Sequence, residues 1–131
     1  QNAVSSGLPQ WYKLGIAAYA SEAWNTEMDN ALKDIILQPK FEGFKKLSRK
    51  NPQLAGHSFW YFIQQTYGKQ NMSNLLYLTR INRNIESGFQ YILGGNTAKV
   101  FESWQTFFKE RYETDQLGKD SYKNNLKIKP L

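Results

Sequence analysis

The stretch from Leu8 to Tyr19, LPQWYKLGIAAY, constrains the fold more than any other part of the sequence. Pro9 suits the first turn of a helix, where its missing N–H group leaves no hydrogen bond unmade. Apolar residues then follow at helical spacing: Trp11, Leu14, Ala17 and Ala18 on one side, and Ile16, Tyr19 and Ala20 on the other. A helix that is apolar nearly all round is usually buried. The pattern therefore predicts a central buried helix from about Pro9 to Trp24.

The rest of the chain repeats helical spacing between short turns and contains no alternating strand pattern of useful length. Asn25 or Thr26, the pair Asn51-Pro52, and Asn96 or Thr97 have the residue types that begin helices. Gly68 is placed to end a helix in the left-handed conformation. These signals predict an all-α fold, with six to seven short helices packed around a central apolar helix and an extended C-terminal tail.

The sequence predicts one helical domain over residues 1–115, followed by an extended basic tail or linker over 116–131. The first seven residues are small and polar, which favours an extended lead-in. From Glu113 onwards the apolar pattern fades. The last segment is rich in lysine and ends in Ile128, Lys129, Pro130 and Leu131.

The chain of 131 residues carries a net charge of +6, which permits binding to acidic surfaces without requiring it. Its lack of cysteine excludes disulfides and thiol chemistry. The densest basic cluster comprises Lys40, Lys45, Lys46, Arg49 and Lys50, diluted only by Glu42. We interpret it as a solvated helix face, and phosphate binding remains an alternative because clustered lysine and arginine suffice for it.

No catalytic constellation is visible in the sequence. It lacks Ser/His/Asp spacing, a glycine-rich phosphate loop and a Cys/His metal cluster. His57, the only histidine, has no acid nearby in sequence, so a cap or a partly buried hydrogen bond explains it better than catalysis. The acids at the following positions are interpreted as solvated surface charges: Glu22, Asp29, Asp34, Glu110 and Glu113.

The opening stretch resembles the segment that follows the zinc-binding HExxH helix in gluzincin metallopeptidases, the peptidase MA-like group. The matching residues are Pro9, Trp11, Gly15, Ala17 and Tyr19. Leu14 stands where that family has the glutamate that is its third zinc ligand, and leucine offers no donor atom. HExxH is also missing from the sequence. The resemblance implies the fold of the helical part of such a peptidase and, with these departures, argues against peptidase activity. We expect no metal ion and no cofactor.

A second motif extends the resemblance to roughly Leu8–Tyr112. It comprises Gly56, Ser58, Phe59, Phe62, Ile63, Tyr67 and Gly68, and Trp104 matches a later aromatic helix. The combination is similar to the region ahead of TolB-like β-propellers in some Bacteroidetes envelope proteins. That likeness implies a cell-envelope or periplasmic location, a tail that leads into a propeller, and a chain cut from a longer polypeptide.

These observations predict a non-catalytic module for protein–protein interaction or structural support within a larger envelope protein. Its expected partner is a protein or a further domain of the same chain. The candidate surface comprises Trp11, Leu14 and Ala18, or the basic third helix with Lys45, Lys46, Arg49 and Lys50. Two alternatives stay open: a fragment of a zinc metallopeptidase whose metal-binding helix lies elsewhere, and a basic helical nucleic-acid-binding domain. No membrane-spanning segment is expected.

Overall fold

The computed structural model describes the backbone of residues 7–128 and the side chains of residues 7–118. Within this part of the chain there are six helices and no strand, which confirms the all-α class. The helices are α1 Gln10–Ser21, α2 Thr26–Ile36, α3 Phe44–Lys50, α4 Pro52–Asn82, α5 Glu86–Gly88, which continues as a π-helix over Phe89–Leu93, and α6 Thr97–Ile128. Most of the predicted lead-in and the last three residues lie outside the described residues.

Asparagine side chains begin three of the helices, as the sequence predicts. Their Oδ1 atoms accept backbone N–H groups one turn ahead: Asn25 from Met28 at 2.9 Å, Asn51 from Leu54 at 3.2 Å, and Asn96 from Lys99 at 2.9 Å. Each cap satisfies a donor that the first helical turn otherwise leaves unpaired. Helix α1 ends at Ser21, three residues before the predicted end at Trp24.

Two glycines set the crossing of α1 and α4. A methyl group on Gly15 would lie 2.4 Å from the backbone of Gly56, and one on Gly56 would lie 2.0 Å from the carbonyl oxygen of Trp11. Only residues without a side chain allow the two backbones to approach so closely. The crossing therefore decides which face of α1 is buried.

The buried central helix is the first half of α4, not α1. Only Trp11, Tyr12 and Gly15 are buried in α1, whereas residues 55–63 of α4 are all buried except Tyr61. Phe59 lies at the middle of an aromatic core, with ring centroids 4.9 Å from Trp11 and 5.5 Å from Phe89. The predicted central apolar helix is thus present, but the sequence pattern pointed to the wrong one.

Gly68 interrupts α4, as predicted, with φ +88° and ψ +164°. The φ value is positive, but the ψ value is extended rather than left-handed helical. At the other end of the chain, α6 continues to Ile128, so residues 116–128 are helical where the sequence predicts an extended tail. No proline interrupts this segment, and Gly118 alone costs a helix only about 1 kcal/mol.

Candidate functional site

Leu14 lies on the surface, at the edge of a groove of about 280 Å³. Its side chain is 37% exposed. The residues that line this groove, called the Leu14 groove below, are Leu14, Ala17, Ala18 and Ser21 of α1, Glu22 just after it, Met28 of α2, and Gln53 and His57 of α4. The exposed Leu14 side chain, two alanines and a methionine form an apolar wall, and the other four lining residues are polar.

Trp11 does not belong to this surface, which corrects the prediction that grouped it with Leu14 and Ala18. It is only 7% exposed and packs edge-on against Phe44, at 4.7 Å between ring centroids. Trp11 lies one helical turn before Gly15 and therefore shares its buried face. Ala18 does line the groove and is half-buried.

His57 forms one wall of the Leu14 groove and is 2% exposed. Its Nε2–H donates to the backbone carbonyl of Glu22 at 2.8 Å, which ties α4 to the end of α1. Burial lowers the pKa of His57 below its usual value, although the Glu22 hydrogen bond acts in the opposite direction. The partly buried hydrogen bond predicted from the sequence is confirmed.

Glu22 is an exposed acid at the end of α1, as predicted, and its carboxylate accepts from Asn25 Nδ2 at 3.0 Å. It lies in the same groove as the His57 side chain. Among the described residues, however, no three histidine, cysteine or acidic side chains converge into a metal-binding group. The groove thus offers one imidazole that is already bonded and one carboxylate.

Asp29 is not a solvated charge, contrary to the prediction. Its side chain is 15% exposed and forms a bidentate pair with Arg111, with distances of 3.1 to 3.2 Å. Trp24 Nε1 and the Tyr112 hydroxyl also donate to it, at 3.1 and 2.9 Å. Burial alone raises the pKa of Asp29, but these hydrogen bonds outweigh it, so the pKa is lowered. Asp29 therefore fastens α2 to α6.

The four cations of α3 form a separate surface. Phe44 and Leu47 are buried, while Lys45, Arg49 and Lys50 are exposed and Lys46 pairs with Glu42 at 3.4 Å. None of these cations lines the Leu14 groove. The structure therefore brings Leu14 and Ala18 together and keeps the basic cluster as a solvated helix face.

No protein-family model, curated protein or solved structure matches this chain. The relationship to peptidase MA-like proteins accordingly stays a prediction. In residues 7–128, moreover, no helix combines the length and the apolar character that crossing a membrane requires.

Proposed function

We propose that this chain is a non-catalytic helical module that binds a protein partner, or a further domain of its own polypeptide, at the Leu14 groove. The observation that carries the proposal is the exposure of Leu14 on the apolar wall of a concave site. Apolar side chains in such sites gain free energy when a partner removes them from water. Structural support within a larger envelope protein is part of this proposal and rests on the resemblance alone.

The residue at position 14 also supports a binding role over a catalytic one. The resemblance puts the third zinc ligand of a peptidase there, and leucine cannot coordinate a metal. The nearby imidazole of His57 already donates to the Glu22 carbonyl. A partner segment with apolar side chains suits this groove better than a metal ion does.

A photo-crosslinking amino acid at Ala17 tests the proposal in the cells that produce the protein. Ala17 lines the groove and is exposed, whereas Thr66, a matched control, is exposed on α4 outside it. We expect a discrete crosslinked product from position 17 that Leu14→Asp abolishes. Equal crosslinking from both positions, or a product that Leu14→Asp leaves unchanged, would rule out docking at this groove.

Leu14→Glu separates a binding role from a structural one. Because Leu14 is already more than a third exposed, a carboxylate there stays hydrated. We expect the free energy of unfolding to fall by less than about 1 kcal/mol. A loss of several kcal/mol in chemical denaturation would mean that Leu14 is part of the core.

Intact mass and metal analysis of the native protein test the zinc-peptidase alternative. A parent chain well above 15.3 kDa with no zinc would support the interaction module. Stoichiometric zinc would mean that ligands outside the described residues complete a metal site. The enzyme hypothesis would then move to first place.

Nucleic-acid binding is a second candidate function because three exposed cations, Lys45, Arg49 and Lys50, share the short helix α3. Phosphate contacts make binding fall steeply with salt. Titration with DNA and RNA at rising salt should show binding that weakens with salt. The combined substitution Lys45→Glu, Arg49→Glu and Lys50→Glu should abolish that binding. An absence of binding at low salt would exclude this function.

A further inference from the structure

We infer that the opposite side of α1 carries a second docking site, which takes an acidic amphipathic segment of a partner protein. A groove of about 450 Å³ runs there between α1 and the second half of α4. The residues on which the inference rests are Leu8, Lys13, Ile16, Leu76, Tyr77 and Arg80. We call it the Tyr77 groove, and it shares no lining residue with the Leu14 groove.

The outer wall of the Tyr77 groove is apolar and exposed. Tyr77 is 57% exposed, and Ile81, one helical turn further along α4 and outside the lining of the groove, is 54% exposed. Leu8, Ile16 and Leu76 are half-buried around the same groove. Exposed large apolar side chains next to a concave apolar surface are typical of a protein-binding site.

The floor of the groove is held by buried hydrogen bonds. The Thr79 hydroxyl donates to the Leu75 carbonyl at 2.9 Å, so the Tyr12 hydroxyl, also at 2.9 Å, is the group that donates to Thr79. Both side chains are at most 2% exposed. The floor joins α1 to α4 and fixes the spacing of the two walls, so a partner meets a preformed site.

The charges beside the groove are of one sign. Lys13 and Arg80 line it, and no carboxylate of residues 7–118 does. Within the described residues, Arg80 is exposed and forms no ion pair. An acidic side chain on the partner would gain a charge-assisted hydrogen bond at Arg80 without displacing an ion pair of the described residues.

The shape of the Tyr77 groove favours a peptide segment over a second copy of this chain or a lipid surface. Along α4 its lining residues run from Ser73 to Arg80, about 10 Å at helical rise, which matches about two turns of a docked helix. A second copy of this chain would bring together two molecules of charge +6. A lipid surface is flat and is recognised by broad basic faces, whereas this site is concave and has two cations.

Selection from a displayed library of random peptides of about 16 residues, long enough for about four helical turns, tests the inference. The library is selected on the full chain and counter-selected on Tyr77→Ala and on Arg80→Glu. We expect enriched peptides to carry apolar residues at helical spacing next to Glu or Asp. A synthetic peptide of this class should bind each variant at least about tenfold more weakly, and its Glu→Lys counterpart should prefer Arg80→Glu.

Leu14→Asp is the matched control because it alters only the other groove. Retained peptide binding by Leu14→Asp keeps this inference independent of the proposed function. The inference fails if no acidic amphipathic class is enriched, or if that class binds Tyr77→Ala and Arg80→Glu as tightly as the unaltered chain. Self-association, or binding to phosphatidylglycerol vesicles, that Arg80→Glu abolishes while no peptide binds would assign the groove to those occupants instead.

Discussion

The two halves of α4, on either side of Gly68, have opposite relations to solvent. Before Gly68, residues 55–63 are buried with the single exception of Tyr61. After Gly68, only Leu75 and Thr79 are buried, and Tyr77 and Ile81 are exposed. One helix thus supplies both the centre of the core and the wall of a groove. The comparison teaches that aromatic and aliphatic content alone does not tell a core helix from a binding surface.

What separates the halves is the number of neighbours that surround them. The first half is crossed by α1 at Gly56 and meets aromatic rings from α1, α3, α5 and α6. Its buried polar atoms are paired: Ser58 accepts from Trp104 Nε1 at 3.0 Å and donates to the Ala55 carbonyl at 2.7 Å. The second half packs on one side only, so its other face is available to a partner.

Removal of one aromatic ring from each half, Phe59 in the first and Tyr77 in the second, should give the largest contrast in the free energy of unfolding. Phe59→Ala removes a fully buried ring at the middle of the core, and we expect it to lower the free energy of unfolding by about 4 kcal/mol. Tyr77→Ala should change it by less than about 1 kcal/mol, because most of that ring is already hydrated. Chemical denaturation of both variants measures the difference. Similar losses would contradict the division of α4 into core and surface.

Gly56→Ala should break the first half by separating it from α1. Its methyl group would meet the Trp11 carbonyl oxygen, a backbone atom that no rotamer change can move. We expect a loss of about 3 kcal/mol, at the upper end for overpacked sites.

Gly88→Ala is the control for Gly56→Ala, because it adds the same methyl group at a site crowded by side chains rather than by backbone. Its methyl group would meet the ends of the Thr79 and Leu75 side chains, which can shift. In thermal or chemical unfolding, Gly88→Ala should therefore lower the free energy of unfolding clearly less than Gly56→Ala does. Equal losses would mean that side-chain crowding, not backbone contact, sets the tolerance of these sites.

Asp29→Asn tests the charged contact that joins α2 to α6 beside the first half of α4, where Arg111 lies over the Tyr61 ring at 5.3 Å. The substitution removes the ion pair but keeps an acceptor oxygen for Trp24 and Tyr112. We expect a loss of about 2 kcal/mol at pH 7, since hydrogen bonds between charged groups are stronger than neutral ones.

The pH dependence of Asp29→Asn has a defined sign. The folded state lowers the pKa of Asp29 below its usual value of 3.8. The unfolded state therefore binds the proton first, and the stability that Asp29 contributes is present above pH 3.8 and lost as the pH falls further. The two proteins should converge in stability in acid. A difference that stays constant down to pH 2 would contradict the pairing.

Local features of this fold were predictable from sequence, and long-range ones were not. The caps at Asn25, Asn51 and Asn96 and the break at Gly68 depend on a few adjacent residues, and all four were found. Asp29 and Arg111 are 82 positions apart, and only the packing of α2 on α6 brings them together. No spacing rule connects such a pair.

The candidate site shows the same limit within one helix. Trp11, Leu14 and Ala18 share an apolar pattern, and the sequence grouped them as one surface. The close approach of Gly15 to Gly56 buries Trp11, which lies on the same face as Gly15. Leu14 lies roughly 100° from Gly15 around the helix and is therefore on the surface. A glycine, which contributes nothing to apolar periodicity, determined the buried face. The Tyr77 groove was missed because its two walls come from separate helices.

Gly68→Ala alters the boundary between the halves and should lower the free energy of unfolding by less than Phe59→Ala, Gly56→Ala or Asp29→Asn does. Apart from its own neighbours in the chain, no atom of the described residues lies within 4 Å of a methyl group there, so crowding contributes nothing. The penalty comes from φ +88° with extended ψ, a conformation that residues with a Cβ atom avoid, and we expect a loss of about 1 to 2 kcal/mol. Gly118→Ala is the matched control, because Gly118 lies in the regular helix α6 and the described side chains leave equally open space around it. This substitution should raise the free energy of unfolding by up to about 1 kcal/mol. If Gly68→Ala lowers the free energy of unfolding and Gly118→Ala raises it, the backbone conformation at Gly68 is what interrupts α4. A gain at both positions would mean that α4 straightens without loss, and the two halves would then not be held apart by this residue.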